Sequence, residues 1–175
     1  VLLCMPRAGG SVIRQVTQIC RDAGVPVLTV PGMYEVLSGS ATVNRLRPDF
    51  FVVCGDLTHK VGDPVQVGAF QRIAHKLDKA VPLRLVAGNH DVANEPTPAT
   101  LAAYRQEFGP DWYAFDHLSC HFVVINSTLI KVPTNVPAEL KAQSDWLQKN
   151  LRDAAAKNPQ HTIVFQHHPP FIKTA

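Results

Sequence analysis

Three short blocks set chemically active side chains at the ends of apolar runs. They are Phe50-Phe51-Val52-Val53-Cys54-Gly55-Asp56, Leu83-Arg84-Leu85-Val86-Ala87-Gly88-Asn89-His90-Asp91 and Thr162-Ile163-Val164-Phe165-Gln166-His167-His168-Pro169-Pro170. In each, the apolar residues read as a buried strand and the polar ones as the loop beyond it. Carboxylate, amide and imidazole gathered at one sheet edge form a ligand set for divalent cations, and for hydrolysis by a cation-activated water.

Each block has its own logic. Gly55 lets the backbone turn sharply as the strand ends, so that Asp56 points into the crevice above the sheet, where a carboxylate can bridge two cations. Asn89-His90-Asp91 repeats the arrangement 33 residues later, behind Gly88. Asn89 offers a neutral oxygen ligand, His90 a general acid near neutral pH, and Asp91 a group to hold the His90 tautomer. His167 stands where imidazole ligands are common, and Pro169 and Pro170 stiffen its loop. Taken singly, the blocks also read as a Gly-Asp turn, a capping Asn beside a surface His, and two solvent-exposed histidines. Their coincidence at three strand ends points to one site.

The elements that must position these residues alternate along the chain. Residues 1–5, 25–30, 50–54, 83–86, 122–125 and 162–165 read as strands, short and rich in β-branched residues. Residues 11–23 read as a helix with Val12, Ile13, Val16, Ile19 and Cys20 on one face, and residues 65–77 as a second with Ala69, Phe70, Ile73 and Leu77 apolar. Thr97 before Pro98 opens a helix over 98–108, closed by Gly109. Residues 137–156 form the longest helix, with Leu140, Trp146, Leu147, Leu151 and Ala154 as its core face. The short connection between residues 112–115 and 120–125 predicts an antiparallel pair. The whole predicts an α/β fold of layered sheets flanked by helices, with parallel pairing where helices intervene.

Composition narrows the class. At 175 residues the chain can bury a real core, and 46% hydrophobic against 18% charged residues argues against disorder. A formal charge of +3 without charge runs gives no reason to expect a nucleic-acid partner. No apolar stretch approaches the ~20 residues of a membrane span. Cys4, Cys20, Cys54 and Cys120 make no C-x-x-C pair and read as buried thiols, hence a reducing, cytoplasmic setting. The chain opens at Val1 inside a strand-like run, without signal peptide or initiator Met, and reads as an excerpt.

From about residue 48 to 174 these motifs resemble the calcineurin-like metallophosphoesterases, specifically those with a Gly-Asp-Leu-(Thr/Ile)-His block and a Phe-Gln-His block. The resemblance implies an α/β/β/α sandwich, here incomplete at both ends, with two divalent metal ions (Mn, Fe or Zn) and a phosphate-ester substrate. It casts Asp56 as the metal-bridging carboxylate, Asn89 and His167 as further metal ligands, His90 as the histidine that binds or protonates the phosphate, and Asp91 as its partner. His168 falls where the family varies and is not counted as a ligand.

The chain also departs from the pattern. His59 stands where the family often has the last Asp of Gly-Asp-x-x-Asp. No Asp-x-His block precedes Asp56, where the carboxylates are Asp22, Glu35 and Asp49, and no Gly-His-x-His block follows His167. The expectation is a phosphoesterase of impaired activity with one metal site retained, the alternative being an inactive fragment with at most a weak site.

Residues 1–47 resemble a different family, the nucleotide-binding βαβ region of polysaccharide-biosynthesis nucleotide-sugar epimerase/dehydratases. Val1-Leu2-Leu3-Cys4-Met5-Pro6, Ile19-Cys20-Arg21-Asp22-Ala23-Gly24-Val25 and Thr29-Val30-Pro31-Gly32-Met33-Tyr34-Glu35 carry that likeness. Gly9-Gly10-Ser11 before a helix could cradle a phosphate, giving a nucleotide-binding module as a further alternative, or serve only as a turn and cap. The organisation expected is a mosaic: a βαβ segment over 1–47 and a partial phosphoesterase domain over 48–175.

Overall fold

The computed structural model describes residues 2–3, 18–19, 21–22, 28–29 and 48–169. The chain divides into one unit over Val1–Pro48 and another over Asp49–Ala175. In the first, β1 (Leu2–Leu3) pairs in parallel with β2 (Leu28–Thr29), Leu2 opposite Leu28. Residues 18–19 and 21–22 are helical, and Gln18 donates to Asp22 one turn on at 2.8 Å. Ile19, expected on the buried face of that helix, is exposed. The Gly9–Ser11 turn and the rest of the predicted 11–23 helix lie outside the described residues.

The second unit begins with a βαβ crossover. β3 (Phe51–Cys54) and β4 (Leu83–Val86) pair in parallel from Phe51↔Leu83 to Cys54↔Val86, so both strands end at the same sheet edge. Between them runs α1 (Pro64–Ala74), whose Asp63 cap accepts from the Val65 and Gln66 amides at 3.0 and 3.2 Å. After β4 come a single turn, α2 (Asn89–Val92), and α3 (Pro98–Phe108). The α3 cap is the expected Thr97, in reciprocal hydrogen bonds with Thr100.

A three-stranded sheet follows in the order β5-β6-β7. β5 (Tyr113–His117) and β6 (Cys120–Val124) form the predicted antiparallel pair. The chain then passes through α4 (Ser127–Lys131) and α5 (Pro137–Lys157) to β7 (His161–Phe165), which joins β6 in parallel. The two sheets face each other. The Phe50 ring stands edge-on to Phe115 and Phe122 at 5.2 and 5.1 Å, and the Arg84 guanidinium lies 4.5 Å over Phe115. The Tyr113 hydroxyl accepts from the Leu85 amide and donates to the Leu85 carbonyl, each at 3.0 Å. The fold is therefore the layered α/β arrangement expected, with helices against the sheets. Its densest core gathers Ala87, Val92, Leu101, Tyr104, Leu129 and Val136, where α2, α3 and α4 meet the end of β4.

Three expectations need correction: one for α5, one for the cysteines, and one for the strand of the third block, since β7, at the edge of its sheet, is largely exposed rather than buried. Leu151, placed on the core face, is 38% exposed, whereas Gln143 is buried. Gln143 is inside because its amide closes a pair with the Asn126 backbone, accepting from Asn126 N at 2.8 Å and donating to Asn126 O at 3.2 Å. The Asn126 side chain continues the network to Asp111, which also meets Arg105 at 2.7 Å. Cys54 is exposed and Cys120 half-buried, because both lie at strand ends rather than in mid-strand.

Two predictions follow from these polar contacts. Gln143→Leu keeps the bulk but orphans two buried backbone groups, so stability falls by about 2–4 kcal/mol; urea unfolding measures it. The second concerns His121, whose ring meets Asp116 at 2.5 Å and Asn150 at 2.9 Å. Burial opposes charge on this ring, but the bonds to Asn150 and Asp116 outweigh it and raise its pKa above the ordinary 6.5. The His121 hydrogen bond, with Lys157 nearby, lowers the Asp116 pKa below 3.8. The Asp116 contribution is present above pH 3.8 and lost as pH falls through its lowered value; the His121 contribution is full below pH 6.5 and lost as pH rises through its raised value. The stability gap between wild type and Asp116→Asn is therefore wider at pH 5.5 than at pH 8.5, as urea midpoints at the two pH values will register.

Candidate metal centre

The ends of β3, β4 and β7 converge. Gly55 has φ +90°, open to glycine but not to a side chain, and a Cβ there would run into the His167 ring. At Gly88 a Cβ would collide with the amide and carboxylate of Asp56. Both glycines thus clear the space in which the loops after β3 and β4 touch. Asp56 itself is held at φ 53°, a left-handed conformation that Asp tolerates better than most residues.

Asp91 ties these loops together. Its buried carboxylate accepts from the Thr58 amide at 2.9 Å and the Thr58 hydroxyl at 3.3 Å through Oδ1, and from the Gly88 amide at 2.8 Å through Oδ2. Burial pushes its pKa up, the backbone donors of Thr58, Gly88 and Leu57 pull it down, the nearby Asp56 charge adds to the rise, and the net direction is upward. The expectation that Asp91 holds the His90 tautomer is corrected. The His90 ring instead meets the His59 carbonyl at 2.9 Å through Nδ1 and stacks on the His59 ring, centroids 4.8 Å apart. The Asp91 carboxylate is instead committed to three donors across two loops.

Asp56, Asn89 and His167 come together as a set. His167 Nε2 lies 3.0 Å from Asn89 Oδ1 and 3.4 Å from Asp56 Oδ1. The other nitrogen, Nδ1, lies 2.8 Å from the Cys54 carbonyl oxygen, so acceptors face both ring nitrogens, and the tautomer with its proton on Nδ1 is the one that leaves an Nε2 lone pair for a cation. The Asn89 amide nitrogen donates to Asn94 at 2.8 Å, which turns its oxygen toward His167. Asp56 Oδ1 also accepts the His90 amide at 3.2 Å. In that tautomer one carboxylate oxygen, one amide oxygen and one imidazole lone pair crowd together, a donor set that fits a divalent cation. Among the described residues no three of His, Cys, Asp and Glu gather as a metal-binding group; the third donor here is an amide. Asp49, the carboxylate nearest upstream of Asp56 in sequence, pairs instead with His117 at 3.5 Å.

One pair escaped sequence reasoning altogether. The Ser127 hydroxyl lies 2.9 Å from His168 Nδ1 and accepts the His168 amide at 3.0 Å. Burial, Lys131 and His167 lower the His168 pKa, against the pull of Asp56. Nothing in the sequence joins Ser127 to a residue 41 positions away; only the parallel run of β6 and β7 brings them together.

The Asp56–Asn89–His167 cluster thus stands on loops past parallel strands of two facing sheets. The chain belongs to the calcineurin-like phosphoesterase family, whose pattern matches residues 33–174. It is similar to the serine/threonine-protein phosphatase CPPED1 of Homo sapiens, 38% identical over 138 residues covering 75% of this chain and 44% of that protein. The CPPED1 proteins of Mus musculus and Danio rerio are 39% and 34% identical over the same length. The chain thus spans less than half the length of these curated relatives.

Asp91 and Asp56 respond differently to loss of charge. Asp91→Asn, which forfeits a buried acceptor held by three donors, lowers stability by about 2–3 kcal/mol. Asp56→Asn, at an exposed carboxylate, stays within about 1 kcal/mol of wild type. Urea unfolding of the two variants side by side checks the contrast.

Proposed function

We propose that this chain carries the retained part of a phosphoesterase centre, in which Asp56, Asn89 and His167 hold one divalent cation and His90 faces the phosphate ester. The observation that carries the reading is the convergence of Asp56 Oδ1 and Asn89 Oδ1 at His167 Nε2, with the Cys54 carbonyl placed to take a proton on Nδ1. When bound, a divalent cation (Mn, Fe or Zn) supplies charge screening for the phosphate and a more acidic water. The protein's own part is positional. Cys54 and Asn94 orient the two neutral ligands, and Asp91 holds the loops that carry Asp56 and Asn89. His90, with Nδ1–H directed at the His59 carbonyl, keeps Nε2 for the substrate; in the imidazolium form its Nε2 proton can pass to the leaving oxygen while Nδ1–H stays on His59.

The donors brought together within these 175 residues, Asp56, Asn89 and His167, suit a single cation, with slow hydrolysis by this chain. The printed name of the CPPED1 relatives makes a phosphoserine or phosphothreonine ester the substrate class to try first. Cys120, outside any disulfide, is compatible with a reducing, cytoplasmic setting. Among the described residues no helix is long and apolar enough to cross a membrane. For residues 1–47 the parallel pairing of β1 with β2 supports the βαβ reading.

Calorimetric titration of the chain with Mn²⁺, beside hydrolysis of an aryl phosphate and a phosphothreonine peptide, tests the proposal. The expected result is one Mn²⁺ site, weakened at least about tenfold by Asp56→Asn or His167→Ala, with slow or no turnover. Binding insensitive to both substitutions, or none at all, refutes it. Nucleotide binding untouched by either variant would assign the chain's activity to its first unit instead.

A further inference from the structure

We propose that His168 is a second contact for the phosphate group, donating a hydrogen bond from Nε2, with Ser127 as the residue that fixes its tautomer. The inference rests on the phosphate-ester reading of the neighbouring site. The Ser127 hydroxyl is buried, and its oxygen already accepts the His168 amide. Among the described residues the one acceptor within reach of its proton is His168 Nδ1, 2.9 Å away. The hydroxyl therefore donates to Nδ1, and the ring proton of neutral His168 sits on Nε2, which has no protein partner among the described residues.

With a cation bound, the two adjacent histidines take opposite tautomers. His167 turns a lone pair from Nε2 toward Asp56 and Asn89, as a cation requires. His168 offers an N–H from Nε2, as an anion requires. The rings stand edge-on, centroids 5.0 Å apart, so the donor lies beside the ligand set. The charged and titratable groups that act on His168 are Lys131, His167 and Asp56. Lys131 makes no ion pair among the described residues, and it adds positive potential on the same side. A ligand bound between a cation and these donors carries at least two oxygens bearing negative charge, which describes a phosphoryl group.

The experiment uses the full chain, labelled with ¹⁵N, and inorganic phosphate as the probe, titrated with and without Mn²⁺. In the free chain the His168 ring is expected as the Nε2–H tautomer, and phosphate should shift that nitrogen. His168→Ala should weaken phosphate about tenfold and Ser127→Ala about threefold, with Mn²⁺ affinity unchanged in both. Ser127→Ala should also mix the His168 tautomers, a change that loss of packing alone would not produce, and His168→Gln should restore part of the phosphate affinity. The proposal is overturned if wild type and His168→Ala bind phosphate equally, if wild type binds none, or if the free ring carries its proton on Nδ1. Should Mn²⁺ fail to bind while phosphate still depends on His168, the cation reading falls and this one stands.

Discussion

The site depends first on a buried carboxylate that takes no part in its ligand set. Asp91 accepts three hydrogen bonds, two from Thr58 beyond β3 and one from Gly88 beyond β4. Without it the two loops would have to place Asp56 and Asn89 independently, at a position where Gly88 leaves no room for even a methyl group against Asp56. Burial raises the Asp91 pKa, and the donors around it work in the opposite direction. A charged clamp at this depth is useful only while all its partners are in place, which couples the geometry of one loop to that of the other.

The third member of the Asp56–Asn89–His167 cluster arrives from the other sheet. His167 follows β7, and its Nδ1 lies 2.8 Å from the Cys54 carbonyl at the end of β3, 113 residues away in sequence. The facing of the sheets, set by Phe50, Arg84, Phe115 and the Tyr113–Leu85 bonds, therefore decides whether the imidazole reaches Asp56 and Asn89. Beneath, the Arg105–Asp111–Asn126–Gln143 network holds the turn into α4. That turn presents Ser127 to His168, so the same buried polar groups that order the fold also orient the site's far rim.

What was legible in the sequence were features with a local cause. Apolar runs ended by Gly-Asp, Gly-Asn and Gln-His marked three strand ends, and the structure brings Asp56, Asn89 and His167 to one edge. Thr97-Pro98 marked the start of α3 to the residue. What was not legible depended on tertiary partners. Asp91 looks like an orienting group for His90 until Thr58 is seen to claim its carboxylate. Gln143 looks like a surface residue until Asn126 is seen beneath it, and Leu151, one apolar residue among several on α5, meets too little to bury it. The Ser127–His168 bond has no local trace at all. The four-residue α2 and five-residue α4 were missed because turns so short carry no periodicity.

The central claim is that one cation is held where the three loops meet. Its most direct test is paramagnetic broadening by substoichiometric Mn²⁺, followed in the side-chain signals of the chain. The account predicts that the Asn89 amide and the His167 ring broaden first, and that His121, at the opposite end of β6, keeps its line width. Broadening that begins at His121 and its Asp116 partner, or that spreads evenly over all the histidines, would contradict it.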